Sequence, residues 1–194
     1  MSLAEIRSFI AIDLPEEIKA DLSGLQAKLR SKSKVSAKWV NLGSIHLTLK
    51  FLGNIEVSMT DSIIAAMEEA VSGIHSFSIR VKDLGVFPNL KRVNIVWVGL
   101  VGDIKRLQLL QRRIDSVLTP LGFKPESRPF TPHITLARLR DYTPPEERIK
   151  LGQLIAETPF VSDTPLDINH VNLMKSQLTR NGPIYTCIGT VKLK

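Results

Sequence analysis

The chain holds one cysteine, Cys187, among 194 residues, so no disulfide can form within it. No apolar run approaches the ~20 residues needed to span a bilayer. The N-terminus lacks the basic, apolar, small-residue order of a secretory signal. These absences point to a cytoplasmic protein that makes no use of a membrane. Cys187 alternates within a strand-like run and is expected in the core.

Acidic residues are also in the minority. Lysine and arginine number 26 against 19 acids, for a net charge of +7. Such a balance favours polyanionic partners, RNA and DNA among them. The densest cluster is "KLRSKSKVSAK", with Lys28, Arg30, Lys32, Lys34 and Lys38 and no acid between them. The usual reading of a charge run is a solvated helix end and loop. The other is a rim that contacts phosphates. A chain of this length can build one sizeable core or two small lobes.

What the sequence does contain is a repeat. "SIHLTLKFLG" carries His46 and Thr48, and "PFTPHITLAR" carries His133 and Thr135. The two histidines are 87 positions apart (133 − 46). The same offset relates other segments, as an internal duplication requires. "FIAIDL" (9–14) and "VNIVWVGL" (93–100) read as strands. Each precedes an amphipathic helix pattern, Ile18, Leu22, Leu25 and Leu29 after Pro15, and Ile104, Leu107, Leu110, Ile114 and Leu118 after Gly102. Helices are expected again over 60–73 and 146–157, and strands over 77–84 and 165–174. A last strand over 184–193 follows a turn at Asn181-Gly182. Strand, helix, histidine strand, helix, strand, used twice, predicts a bilobal α+β (α/β-like) protein with a pseudo-twofold axis. It is one two-lobed domain with repeats over about 8–86 and 93–176.

Alternate residues of a strand share a face. His46, Thr48 and Lys50 then lie opposite Leu47, Leu49 and Phe51, and His133 and Thr135 lie opposite Ile134 and Leu136. Each strand offers one apolar face to a core and one imidazole with one hydroxyl to a cleft. Lys50 has the parity to approach that cleft or its rim. A lone histidine on a strand is more often a hydrogen-bonded structural residue. Two His-x-Thr-Leu motifs at equivalent places in a duplication are not explained that way. Histidine titrates near neutrality, so one imidazole can serve as a neutral base and the other as a charged acid. In-line displacement at phosphorus needs base and acid on opposite sides, which a twofold arrangement supplies. The hydroxyls can donate to the non-bridging oxygens, where charge builds up. A zinc site needs three or four ligands, and neither motif has Cys, Asp or Glu nearby on its face. No metal and no cofactor is expected. His75 and His170 have no partner motif and read as structural. Trp39 and Trp97 read as packing anchors.

At these residues the chain resembles the RNA 2′,3′-cyclic phosphodiesterase (2′-5′ RNA ligase) family of the two-histidine phosphoesterase superfamily. The likeness takes in "RSFIAIDLP", "HLTLKFLG", "FPNLKRVNIVWVGL", "FTPHITLAR" and "LMKSQLTRNGPIY". It implies antiparallel sheets lining a central cleft, with helices outside. It implies hydrolysis of a terminal 2′,3′-cyclic phosphate of RNA to a 2′-phosphate, with 2′-5′ ligation as the reverse. His46 matches the family's proton donor and His133 its acceptor. Thr48 and Thr135 match its phosphate-binding threonines, and Arg138 an arginine that assists with phosphate. Strict alternation puts Arg138 with Leu136 on the core face, so a bulge or strand end must re-aim it. The expected partner is an RNA ending in a cyclic phosphate, tRNA fragments included, or a cyclic nucleotide, bound by a monomer. Two other functions compete. One is a phosphodiesterase for small substrates such as ADP-ribose 1″,2″-cyclic phosphate or an oligoadenylate. The other is a non-catalytic RNA- or nucleotide-binding module, which intact histidines in both motifs disfavour.

Overall fold

A computed structural model describes residues 4–33, 35–180 and 182–194. Lys34 of the basic cluster and Asn181 of the expected turn lie outside the described residues. Chain order runs β1 (Glu5–Asp13), α1 (Glu16–Lys32), β2 (Ala37–Trp39), β3 (His46–Glu56), α2 (Thr60–Val71), β4 (Phe77–Phe87), β5 (Ile95–Gly102), α3 (Ile104–Leu118), β6 (His133–Leu139), α4 (Pro145–Glu157), β7 (Val161–Ile168), β8 (His170–Thr179) and β9 (Gly182–Lys192). The strands form two antiparallel sheets. One has the order β3-β1-β8-β9 and the other β2-β6-β5-β4-β7. The fold is α+β, as the patterning predicts.

The helices follow their local signals. Pro15 stands at the N-cap of α1, and its ring fixes a backbone angle suited to helix entry. Asp103 caps α3, its carboxylate accepting from the Arg106 N–H at 3.1 Å. The apolar stripes are buried in both: Ile18, Leu22, Leu25 and Leu29 in α1, and Leu107, Leu110, Ile114 and Leu118 in α3. They join the inner faces of the sheets in one continuous core.

The repeat and the lobes do not coincide. β4, from the first half of the chain, pairs with β5 and β7, while β8 and β9, from the second half, extend the sheet of β1 and β3. The helices cross over as well. α1 leaves the first sheet and packs on the second, where Gln26 donates to the Leu136 carbonyl (3.2 Å) and Asp21 accepts from Ser162 (2.6 Å). α3 leaves the second sheet and meets β3 of the first through an ion pair between Asp115 and Lys50.

Two expectations change, and one strand was not anticipated. The single strand expected over 165–174 is the end of β7 and the start of β8, which belong to different sheets. Alternation runs through the corner at Asn169, so the pattern alone hides the break. The short edge strand β2 has too few residues to show a period. Cys187 is exposed rather than core. A register shift between Leu173 and Met174 pairs Met174 with Cys187 and Leu173 with Gly189, which resets the parity of β9. Among the described residues no helix is long and apolar enough to cross a membrane.

Candidate active site

The two histidine strands carry the same irregularity at equivalent places. In β3, Thr48 pairs with Ala11 and Lys50 with Ile10, leaving Leu49 as an extra residue. In β6, Thr135 pairs with Trp97 and Ala137 with Val96, leaving Leu136 extra. Positions 49 and 136 are again 87 apart (136 − 49). Each bulge places two successive residues on the core side, Leu49 with Lys50 and Leu136 with Ala137. Everything beyond it is re-aimed.

Three placements follow. Arg138 pairs with Ile95, which shares the parity of Trp97, so Arg138 lies on the face of His133 and Thr135. The bulge supplies the re-aiming that strict alternation lacked. Lys50 does not approach the cleft: it is 2% exposed, and its ammonium donates to the Asp115 carboxylate and the Lys124 carbonyl (3.0 Å). Phe51 is not core: it is 62% exposed, on the face of His46 and Thr48. Phe51 is the counterpart of Arg138 (138 − 51 = 87). One half therefore offers an aromatic face and the other a cation.

The imidazoles are held alike. His46 donates from Nδ1 to the Ser44 carbonyl at 2.8 Å, and His133 from Nδ1 to the Thr131 carbonyl at 2.7 Å. A carbonyl can only accept, so Nδ1 carries the proton in both rings. Nε2 is left in each as the nitrogen that can take or give a proton. Rings brace the two side chains. Phe9 stacks on His46 (centroids 4.7 Å apart), and Tyr185 meets it edge-on at 5.1 Å. Phe87 meets His133 edge-on at 5.1 Å, and Trp97 lies 6.0 Å away. Trp97 is thus a cleft-side neighbour of the site. Trp39 packs against the core, with the Arg30 guanidinium 5.1 Å above its ring.

Desolvation lowers the His46 pKa from its ordinary value, and the Ser44 hydrogen bond and the Asp13 charge oppose it. Asp13 faces His46 across the strand pair. Its carboxylate accepts from Asn172 Nδ2 at 2.8 Å, and Asn172 Oδ1 accepts from Thr190 at 2.8 Å. Burial pushes the Tyr185 phenol up, while Arg138 and Arg7 pull it down. Arg138 comes from one sheet and Arg7 from the other, so the cationic field of both lobes meets beside His46. The Thr48 and Thr135 hydroxyls, both half-buried, have no hydrogen-bond partner among the described residues. His75 and His170 stand outside this group, and His170 Nδ1 bonds the Asn169 side chain. Among the described residues there is no group of three or more histidine, cysteine or acidic side chains placed so that it could hold a metal ion.

Sequence reasoning missed Phe51, Phe9, Tyr185 and Phe87. Tyr185 lies within the closing "RNGPIY" stretch, a usable signal. Phe9, Phe51 and Phe87 also fall within the stretches that carry the likeness, but as aromatics among apolar residues they cannot be told from core residues until the register is known.

The sequence model of the LigT-like phosphoesterase family matches the chain twice, over residues 12–97 and 98–185. An RNA 2′,3′-cyclic phosphodiesterase of Methanothermobacter thermautotrophicus is 33% identical over 189 residues, covering 97% of this chain and 100% of that one. One of Thermotoga maritima is 34% identical over 180 residues, with coverage of 93% and 91%. E. coli LigT in complex with 3′-AMP superposes with a TM-score of 0.77 at 25% identity, over 98% of this chain and 99% of that one. With relatives a third identical from end to end and a family model matched in both halves, the chain belongs to the LigT-like phosphoesterase family.

Proposed function

We propose that the protein hydrolyses 2′,3′-cyclic phosphate ends of RNA to 2′-phosphates, without a metal ion. The observation that carries this is the matched pair of Nδ1–carbonyl bonds, which leaves one Nε2 on each of two related strands. A neutral Nε2 on His133 takes a proton from water as its oxygen attacks phosphorus. The P–O3′ bond breaks, and His46 Nε2–H protonates the departing 3′ oxygen. Thr48 and Thr135 donate to the non-bridging oxygens, and Arg138 balances their charge. With a 5′-hydroxyl in place of water as the attacking group, the same steps form a 2′-5′ linkage, and their reversal cleaves one. Phe51, exposed on the cleft face, supplies a surface for the terminal base. The names of the curated relatives support RNA as the substrate. The unpartnered threonine hydroxyls and the two titratable imidazoles favour catalysis over simple binding.

The test is incubation with 2′,3′-cyclic nucleotides and a cyclic-phosphate-ended RNA in EDTA. The expected product is the 2′-phosphate, formed at a rate that chelation leaves unchanged. Loss of turnover in EDTA with recovery on adding Zn²⁺ or Mg²⁺ rejects the two-histidine mechanism. A 3′-phosphate product reverses the assignment of the leaving oxygen.

A further inference from the structure

The connection in front of each histidine fixes that histidine's ring. Ser44, between α1 and β3, supplies the carbonyl that holds His46, and Thr131, between α3 and β6, supplies the one that holds His133. Each connection is fastened to the strand that carries the other histidine. On the first side the tie is a ladder. β2 pairs with β6 from Ala37 to Trp39, and the Val40 N–H donates to the Leu136 carbonyl at 2.9 Å. Gln26 reinforces it by donating to the Val40 and Leu136 carbonyls. On the second side no strand lies between α3 and β6. One side chain of β3 catches the loop instead. Lys50 Nζ donates to the Lys124 carbonyl at 3.0 Å and to the Asp115 carboxylate, which accepts from the Glu126 N–H at 3.1 Å. Among the described residues, segment 124–130 makes no other hydrogen bond. Thr131 follows Glu126 by five positions (131 − 126).

Lys50 is 2% exposed and turned to the core, so it does not meet substrate. Stability alone does not call for a charge there, because an apolar pair of similar volume often serves a buried site as well or better. What the ammonium supplies is direction. With Asp115 it fixes one carbonyl and one N–H in the approach to Thr131. We propose that Lys50 is a positioning residue for His133, the imidazole of the other strand, and holds that ring at the angle the reaction needs. A displaced Thr131 carbonyl frees the Nδ1–H, and the ring then loses both its orientation and its fixed tautomer. The loss falls on the reaction rather than on binding. Thr48, Thr135 and Arg138, the proposed phosphate contacts, sit on strands and not in this loop.

The assignment rests on the hydrolytic reading for its kinetics, while its NMR readout stands apart from activity. The test uses Lys50→Met/Asp115→Leu, in which apolar groups replace the charge pair and folding is kept. Hydrolysis of cyclic 2′,3′-AMP is expected to lose about 10- to 100-fold in kcat with KM unchanged, as a small misplacement of a reacting group does. In the ring-nitrogen NMR spectrum His133 is expected to lose its uniform Nδ1–H form, while His46 keeps it. Gln26→Leu, which loosens the other tie, is expected to leave the His133 spectrum as it was. Wild-type kcat in the folded double variant, or an unchanged His133 spectrum, overturns the proposal, and Lys50 then serves stability alone. Equal changes at both histidines, or a change at His133 in Gln26→Leu, overturn it too, because the effect is then a general loosening. Should the double variant fail to fold, Asp115→Asn, which removes the charge and keeps an acceptor, is read by the same outcomes. No turnover of cyclic 2′,3′-AMP by the wild-type protein overturns the hydrolytic reading, and the His133 spectrum then decides the role of Lys50.

Discussion

His46 holds its proton weakly in the empty protein, because burial disfavours the imidazolium more than Asp13 and the Ser44 carbonyl favour it. The general-acid role proposed for His46 needs the opposite. Under the proposed function the correcting charge is the substrate's own, since a phosphate against Nε2 raises the pKa as it binds. Followed by NMR, His46 is expected to titrate below the ordinary value of about 6.5 in the free protein and to move upward with inorganic phosphate. A His46 resonance that phosphate leaves unmoved removes this residue from the phosphate site. The same depression has a stability sign. The unfolded chain binds more protons than the folded one just below the ordinary histidine value. His46 therefore stabilises the fold above that pH, and the contribution is lost as pH falls through the folded pKa. His46→Gln is expected to flatten the fall of urea stability across this window. The histidines and threonines of the candidate site could be singled out in the sequence because His-x-Thr repeats in equivalent surroundings. Their tautomers were not, because these are set by carbonyls two residues back whose direction depends on the backbone path.

At the scale of elements, each bulge is held from the opposite half of the chain. α1 reaches β6 through Gln26, which donates to the Leu136 and Val40 carbonyls (3.2 and 3.0 Å). α3 reaches β3 through Asp115, which also accepts from the Glu126 N–H at 3.1 Å. Gln26 adds to the bond that the Val40 N–H already donates to the Leu136 carbonyl (2.9 Å), and Asp115 compensates the Lys50 ammonium that the bulge turns toward the core. Lys50 is fully enclosed, so removing its charge strands Asp115 in a partly buried position. Lys50→Met is expected to cost about 3–5 kcal/mol in chemical unfolding. Adding Asp115→Leu is expected to recover most of that loss, because the stranded charge goes with it. A double variant as unstable as the single one shows that Lys50 acts through packing rather than through its ion pair. Period-2 reading could not find the bulges. Leu49-Lys50 and Leu136-Ala137 contain no residue type that marks an extra position, and the strand continues on both sides.

Over the whole molecule, the net charge of +7 is divided unevenly. Lys28 and Lys32 stand exposed on the last turns of α1, and Arg30 is taken up over Trp39. Lys38 pairs with Arg138 in the sheet and shares its face. That places Lys38 on the face of the candidate site. A mononucleotide can meet only the near charges, while a longer RNA can meet more. The salt dependence of binding is expected to be shallow for a cyclic mononucleotide and steeper for RNA, by a slope of about 0.7 per phosphate contact. Lys38→Glu is expected to reduce the RNA slope. Equal slopes for both ligands make the cluster a solubility feature only.

Composition and pattern by themselves determined the fold class, the helix faces and the duplication, and singled out the four His and Thr positions as candidates. These are properties of local period and of repetition, and both survive in one dimension. The tertiary structure alone decided which strands share a sheet, because β4 and β8 cross to the opposite half and sequence order says nothing about that. It also decided the faces of Lys50, Phe51, Arg138 and Cys187. One extra residue in a strand reverses the side of every residue after it, and only the partner strand shows that the extra residue is there.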